Sequence, residues 1–323
     1  MSNFKTFKSG LSRLQKGNDY KSKFMVIESG KGGIGKTTVA ISISLILGYA
    51  VDRDINVLLL TSDANGSLEN YFTEDFLANN LPKNLNLIVE TVENVNKKTH
   101  NQIQNELTEK LLSGVRRHDY VDLDEDDMAD YYYKDSNDKI TPIDVVLVDR
   151  AGGLDKTDVS LLSANGIDSF ITIATANSKK ALVNAMEALE RSMEADHQLL
   201  LKMIADNGDS IEDYSDEEIK EIKLSSGTQH TLVYNHLNTA GSDTHKRITK
   251  TEIQEIEKRF NKKVNFVDLP FYNFERIESE GQSYFANRDE LRKNGVKVGV
   301  FKLLVERSDM MAAMKNLMLS VMR

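Results

Sequence analysis

A glycine-rich segment near the start of the chain has the residue types and the spacing of a phosphate-binding loop. Residues 30–38 fit the template G-x-x-x-x-G-K-[ST] and add a lysine directly after the first glycine: Gly30-Lys31-Gly32-Gly33-Ile34-Gly35-Lys36-Thr37-Thr38. Glycines let backbone N–H groups close on phosphate oxygens where a Cβ would collide. Lys36 could then reach the β- and γ-phosphates, and the Thr37 hydroxyl could ligate Mg²⁺. The segment predicts a nucleoside triphosphate site, and the alternative is a glycine-rich turn without a ligand.

The elements that flank this segment are those that the motif requires. An apolar run over 24–27 precedes it and predicts a strand. A helical pattern over 37–49 follows it, with Val39, Ile43, Ile46 and Leu47 on one side. Such a helix directs its positive N-terminal dipole at bound phosphates.

Two aspartates follow predicted strands further along the chain. Asp149 ends the apolar run 145–148, and Asp63 follows the strand predicted at 56–61. The carboxyl ends of parallel strands are where an α/β sheet places acids near a ligand. Asp149 would hold Mg²⁺ through water, whereas Asp63 would orient the attacking water or support the metal shell. The alternative for Asp63 is an Asx-type turn that caps the strand. Gly152-Gly153 would allow a mobile segment that senses the γ-phosphate.

Apolar runs alternate with helical patterns along the chain, which predicts an α/β fold: a mostly parallel central sheet with helices on both faces. Strands are predicted at 24–29, 56–61, 85–89, 143–148, 168–174, 230–235 and 263–268, and helices at 37–49, 101–117, 157–165, 178–195, 246–260 and 299–321. We expect a basic N-terminal extension over 1–22 and a single P-loop domain over 23–323. Acidic insertions at about 119–138 and 206–228 are expected at the surface, with little core.

Composition excludes several classes of site. The 323 residues include no cysteine, which rules out disulfides, thiolate metal sites and iron–sulfur clusters. The sequence shows neither a membrane span nor a secretory signal, so a cytoplasmic location is expected. The formal net charge is −9, yet basic residues outnumber acidic ones at both ends of the chain. This asymmetry permits contact with a polyanion.

The segment Lys31–Thr38 resembles the loop of the ParA/MinD family of deviant Walker A ATPases, K-G-G-x-G-K-[ST]-[ST], at every fixed position. The resemblance extends from Phe24 to about Phe271. It implies binding of ATP and Mg²⁺ by a P-loop NTPase of the deviant Walker A type. Lys31 would be the signature lysine that reaches the partner's ATP across a nucleotide-bridged homodimer. Lys36 would be the phosphate lysine and Thr37 the magnesium ligand.

The same resemblance assigns roles outside the loop. Asp63 matches the second acid of the family's D-x-D-P-Q-G segment, and Asp149 matches its Walker B acid. Asn235 resembles the asparagine that reads the adenine edge, and Pro270 belongs to the segment that closes over the base. The chain departs from the family pattern by having Thr61 in place of the first acid, Ala64-Asn65 in place of Pro-Gln, and Arg150 where Thr or Cys is usual. These departures bear on hydrolysis and switching more than on nucleotide binding.

Three segments are candidate contact surfaces, each with a structural alternative. An amphipathic basic segment at 4–16 suits an anionic surface or a partner groove, or packs on its own domain. An apolar stripe near the C-terminus resembles a membrane-seeking helix or belongs to the core: Met310, Met314, Leu317, Met318 and Val321. Basic residues between 245 and 263 could follow a DNA backbone, or form a solvated helix face.

These features favour a slow ATPase that dimerises on ATP and positions or segregates DNA, as ParA-type partition proteins do. The resemblance implies non-specific DNA binding in the ATP state and a DNA-bound, ParB-like adaptor that stimulates hydrolysis. One alternative is a MinD-like, membrane-associated positioning ATPase. The other is a nucleotide-gated accessory scaffold in conjugation or secretion.

Overall fold

The computed structural model describes the following residues: 22–30, 35–51, 53–61, 81–91, 110–113, 131–150, 167–175, 179–206, 208, 210–215, 217–219, 228–235, 250–269 and 308–322. Residues 1–21 of the basic N-terminal extension, the Gly152-Gly153 segment, the helix predicted at 157–165 and the segment around Asp63 lie outside these residues, as do Lys31–Ile34 and Pro270.

A parallel sheet forms the centre of the fold, as the alternation of apolar strands and helices predicted. Its seven strands, counted over the described residues, are β1 (Lys23–Glu28), β2 (Ile55–Thr61), β3 (Leu85–Thr91), β7 (Val145–Asp149), β8 (Ser169–Thr175), β9 (Gln229–Asn235) and β10 (Val264–Leu269). Their spatial order is β10-β9-β8-β1-β7-β2-β3, and every neighbouring pair is parallel. β1 thus lies between two strands that come much later in the chain. The carboxyl end of such a strand is where α/β sheets bind ligands.

Helices cover both faces of this sheet, which confirms the predicted layers. The described helices are α1 (Lys36–Ala50), α2 (Lys179–Asp206), α3 (Lys250–Phe260) and α4 (Ser308–Val321). α1 and α4 share a buried cluster with the odd-numbered residues of β1 and β7, such as Ile27 and Leu147. α2 packs on the opposite face, against residues such as Ala174 and Leu232. Because successive side chains of a strand point to opposite faces, residue parity decides which helix layer each strand residue meets.

A second, antiparallel sheet corrects two sequence-based expectations. β4 (Leu111–Ser113), β5 (Tyr131–Lys134) and β6 (Ile140–Ile143) pair in that order, so the helix predicted over 101–117 is wrong at 111–113. Tyr131, Tyr132 and Tyr133 are buried, and the Tyr131 ring meets the Phe24 ring edge-on at 5.6 Å between centroids. The expectation that 119–138 adds little core is therefore wrong for these tyrosines. Aromatic side chains favour half-buried strands and remove a large apolar area from water.

The apolar stripe near the C-terminus belongs to the core. Met310, Met314, Leu317, Met318 and Val321 are each at most 2% exposed and pack with α1 and the sheet. The core alternative for this stripe is therefore confirmed. Among the described helices, none combines the length and the hydropathy needed to cross a bilayer.

Candidate functional site

The start of α1 is shaped to receive an anion. β1 ends at Glu28 and α1 begins at Lys36 after Gly35, whose φ of 94° is left-handed and strained for any residue with a Cβ. Gly35 offers no side-chain cap, and the first turn of α1 carries no acidic residue. The N-terminal amides of the helix and its positive dipole end would therefore stabilise a phosphate bound at this helix start.

Gly30 has a packing role that the loop motif alone does not indicate. A Cβ built on Gly30 would lie 2.2 Å from the backbone oxygen of Asn184 in α2, a distance that real Cβ atoms do not adopt. The Asn184 amide Nδ2 donates a hydrogen bond to the Gly30 carbonyl oxygen at 3.1 Å. Only glycine lets the first turns of α2 approach the beginning of the loop this closely.

Thr37 and Asp149 meet at the carboxyl edge of the sheet. The Thr37 hydroxyl Oγ1 donates a hydrogen bond to Asp149 Oδ2 at 2.6 Å, although 112 residues separate the two in sequence. Asp149 is the last residue of β7, pairs in register with Ile27 of β1 and is 1% exposed. The parallel pairing of β7 with β1 therefore brings the two predicted magnesium ligands into contact.

This pair fits a magnesium ion that is bound together with a nucleotide. A hydroxyl and a carboxylate are the hard oxygen donors that Mg²⁺ prefers, and Mg²⁺ is usually held by one or two protein groups plus substrate phosphates. Over the described part of the chain, no group of three or more His, Cys, Asp or Glu side chains is arranged to hold a metal by itself. Thr37 and Asp149 would hold the ion beside the phosphates, in place of the hydrogen bond that they now share.

The remaining predicted residues fall partly inside this site. Lys36 is 8% exposed and Thr38 is half-buried, both in the first turn of α1. Asn235 ends β9 at the same edge of the sheet and is 1% exposed. β8 separates β9 from β1, so Asn235 lies two strand spacings, roughly 10 Å, from the loop strand. Asp63 and Pro270 lie outside the described residues.

Thr61 lies beside Asp149 on the neighbouring strand. The two residues are partners in the β2–β7 register, and Thr61 is fully buried. The position where the family pattern has an acid is therefore next to the candidate metal ligand. A threonine there places no second negative charge beside Asp149.

A buried ion pair behind the loop was missed by the sequence analysis. Arg150 Nη1 lies 3.2 Å from Glu28 Oε2, and both side chains are nearly inaccessible to solvent. Burial raises the pKa of Glu28 above its ordinary value of 4.5, although the neighbouring Arg150 acts in the opposite direction. Two features of the sequence could have indicated this pair: Glu28 at the end of an otherwise apolar strand, and Arg150 directly after another apolar strand.

The comparisons with known proteins place the chain in a family. A family model described as anion-transporting ATPase matches residues 23–215. No curated protein sequence matches the chain.

Several solved structures are similar to the chain in arrangement. A ParA family ATPase from Chlorobium tepidum is 14% identical, with 92% of this chain and 97% of that chain covered and a TM-score of 0.39. The septum site-determining protein MinD from Pyrococcus horikoshii, complexed with Mg-ADP, is 15% identical, with 91% and 94% covered and a TM-score of 0.40. A putative plasmid partition protein from Borrelia burgdorferi, bound to AMPPNP, is 16% identical, with 92% and 98% covered and a TM-score of 0.39.

At these identities and TM-scores, the assignment depends on the family model, which covers more than half of the 323 residues and agrees with the predicted ParA/MinD-type P-loop ATPase. The chain belongs to the anion-transporting ATPase family.

Proposed function

We propose that the chain is a switch ATPase that binds Mg·ATP, dimerises over the bound nucleotide and hydrolyses it slowly. The contact between Thr37 Oγ1 and Asp149 Oδ2 carries this proposal, because it joins a phosphate-binding helix start to an acid at the adjacent strand end. Both elements converge at the carboxyl end of β1, where a triphosphate would meet the N-terminus of α1.

Each residue of the site has one task in this proposal. Lys36 and the first-turn amides of α1 neutralise and orient the phosphates, while Thr37 and Asp149 present oxygen ligands. The magnesium ion, when bound, neutralises charge that develops on the β- and γ-phosphate oxygens. Asp63 orients the attacking water. Asn235 and Pro270 would contact the adenine base.

The signature lysine supplies the switch. Lys31 and Lys36 would both approach one triphosphate, the first from the partner subunit, and two ammonium groups repel each other unless phosphate charge offsets them. Dimerisation would therefore depend on the γ-phosphate, and hydrolysis would weaken it. A ligand shifts an equilibrium between two states only through such differential contacts.

The favoured task of this switch is the positioning of DNA. Lys250, Lys258 and Lys263, on and just after α3, are exposed to solvent. Arg259 of the same helix contacts Glu190 of α2 at 3.1 Å. Exposed lysines on one helix and its exit could follow a phosphate backbone without reading sequence. A DNA-bound adaptor would reset the dimer by stimulating hydrolysis.

The membrane alternative loses its main support. The apolar stripe of α4 that resembled a membrane-seeking helix is buried against α1 and the sheet. Inserting it into a bilayer would expose this part of the core to water. The accessory-scaffold alternative keeps Thr61 and Arg150 as its supporting features, since both depart from the family pattern beside Asp149.

Calorimetry and light scattering test the ATPase switch. Wild type should bind ATPγS more tightly with Mg²⁺ than with EDTA and should become dimeric only with Mg·ATPγS. Lys31→Ala should keep most of the affinity and lose the dimer. Dimers of unchanged stability in Lys31→Ala would refute the role of Lys31. Binding without measurable phosphate release, with DNA and a candidate adaptor present, would favour the scaffold.

Salt-dependent DNA binding tests the favoured task. Each phosphate contact made by a lysine contributes about 0.9 to the slope of log K against log salt concentration. Lys258→Ala and Lys263→Ala should each reduce this slope. Lys139→Ala should not, because Lys139 is also exposed but lies between β5 and β6 of the second sheet rather than on or next to α3. ATP-dependent binding that is equally strong in all three variants would exclude this surface.

A further inference from the structure

The buried pair Glu28–Arg150 lies directly behind the candidate nucleotide site. Glu28 is the last residue of β1, two positions before Gly30, and Arg150 directly follows Asp149. Their side chains approach to 3.2 Å and are 6% and 5% exposed, respectively. One partner thus adjoins the phosphate loop and the other adjoins a candidate metal ligand.

Two further hydrogen bonds hold the same two residues. The Arg150 backbone N–H donates to the Ile27 carbonyl oxygen at 3.0 Å. The Thr172 hydroxyl of β8 donates to Glu28 Oε1 at 3.1 Å. The positive charge of Arg191 on α2 lowers the pKa of Glu28 in the same direction as Arg150 does. The end of β1 is therefore tied to β8 and to the residue that follows β7.

The orientation of Arg150 argues against a direct role as a phosphate ligand. Asp149 contacts Thr37 of α1, whereas the even-numbered residues of β1, such as Val26, pack in the cluster on the opposite face of the sheet. Arg150 contacts Glu28 on that opposite face. Its guanidinium group thus contacts the Glu28 carboxyl group on the side of the sheet away from Thr37.

We infer that Glu28 and Arg150 form a positioning pair that holds Asp149 against the end of the loop strand. The inference rests on the proposed function, because it assigns the pair to the Mg·ATP site. Arg150 departs from the family pattern at this position, and the Glu28 carboxyl group supplies the oxygen that its guanidinium group contacts. The pair acts through Asp149, so its loss should weaken the response to Mg²⁺ more than the binding of nucleotide.

Arg150→Met, Arg150→Lys and Glu28→Gln test this role. Loss of a group that orients a metal ligand typically lowers metal affinity or activity about 10–100-fold. Arg150→Met should raise the Mg²⁺ concentration for half-maximal ATPγS binding by about that factor, while affinity in EDTA stays unchanged. Arg150→Lys should recover part of the response because it keeps the charge. The double variant Glu28→Gln/Arg150→Met should lose no more than Arg150→Met alone, since the two residues act as a unit.

Arg53→Met is the matched control, because Arg53 pairs with Asp144 at the other end of β7. Arg53 Nη2 lies 2.6 Å from Oδ1 of Asp144, which is buried just before β7 begins. This substitution should lower the thermal midpoint, as Arg150→Met does, and leave the Mg²⁺ dependence unchanged. Should Arg150→Met not fold, Glu28→Gln and Arg150→Lys give the same comparison.

Two outcomes separate this inference from the proposed function. If wild type and the Arg150 and Glu28 variants all respond equally to Mg²⁺, the positioning pair is overturned while the proposed function stands. Wild type that binds no nucleotide with or without Mg²⁺ would overturn both.

Discussion

Replacing Thr37 with valine tests the central contact of the site. Valine keeps the shape of threonine but removes the hydroxyl that donates to Asp149 Oδ2 at 2.6 Å. A hydrogen bond to a charged group contributes about 1.5–3 kcal/mol, and the Asp149 carboxylate is 1% exposed, so water cannot readily replace the donor. At about 2 °C per kcal/mol for a chain of this size, the thermal midpoint of the nucleotide-free protein should fall by roughly 3–6 °C.

The same substitution should remove most of the additional stabilisation that Mg²⁺ gives to the ATPγS complex. A ligand present at 100 times its Kd stabilises the folded state by about 2.7 kcal/mol, which wild type should show as a raised midpoint. Thr37→Val loses one of the two protein oxygens offered to Mg²⁺, so its midpoint should rise with ATPγS in EDTA but gain little from added Mg²⁺. Differential scanning fluorimetry and calorimetry with and without EDTA measure both effects.

Thr175→Val is the control for a buried threonine at the same edge. Thr175 ends β8 and is 1% exposed, and within the described residues its hydroxyl has no hydrogen-bond partner. Its replacement should therefore be neutral or slightly stabilising and should leave the Mg²⁺ response intact. A Thr37→Val protein with the midpoint and Mg²⁺ response of wild type would refute the assignment of Thr37 and Asp149 to a metal site.

Three further predictions concern the surroundings of the site. Burial raises the pKa of Glu28 above 4.5 in the folded state, so the folded state binds more protons than the unfolded state does. The free energy of unfolding of wild type, relative to that of Glu28→Gln, should therefore fall as the pH rises from 4.5. Urea titrations from pH 4.5 to 7 measure this difference, and a difference that rises with pH would contradict the prediction. Gly30→Ala would place a Cβ 2.2 Å from the Asn184 backbone oxygen, so the free energy of unfolding in urea should fall by about 1–3 kcal/mol. Unchanged stability would mean that α2 does not pack against Gly30. Leu317→Ala in α4 should lower the free energy of unfolding by about 2–5 kcal/mol in the same assay and leave vesicle binding unchanged. If wild type binds anionic vesicles and this substitution abolishes the binding, the membrane alternative is restored.

The central sheet and its helices could be predicted because their signals are local. Apolar strands of five to seven residues alternate with helical patterns, and the ends of six predicted strands lie within two residues of the observed ends. The strand predicted at 143–148 is instead divided at Asp144, between β6 and β7. β4 was predicted as part of a helix because Leu111–Ser113 is too short to show a period of two. Only its pairing with Tyr131–Tyr133 makes it a strand.

The chemistry of the loop was determined by the sequence itself. Gly35, Lys36 and Thr37 follow one another at the start of α1, so their relation depends on local backbone geometry alone. The meeting of Thr37 with Asp149 was expected from the motif, because the carboxyl ends of parallel strands share one edge of a sheet.

Tertiary structure alone decided which distant residues meet behind the loop. Alternation along a strand shows that Glu28 lies on one face of β1, but it does not show which strand is the neighbour. The order β8-β1-β7 brings Arg150 and Thr172 to Glu28, and the close approach of α2 brings Asn184 to Gly30. These contacts join residues more than 100 positions apart, and they follow from strand order and helix packing rather than from any local pattern.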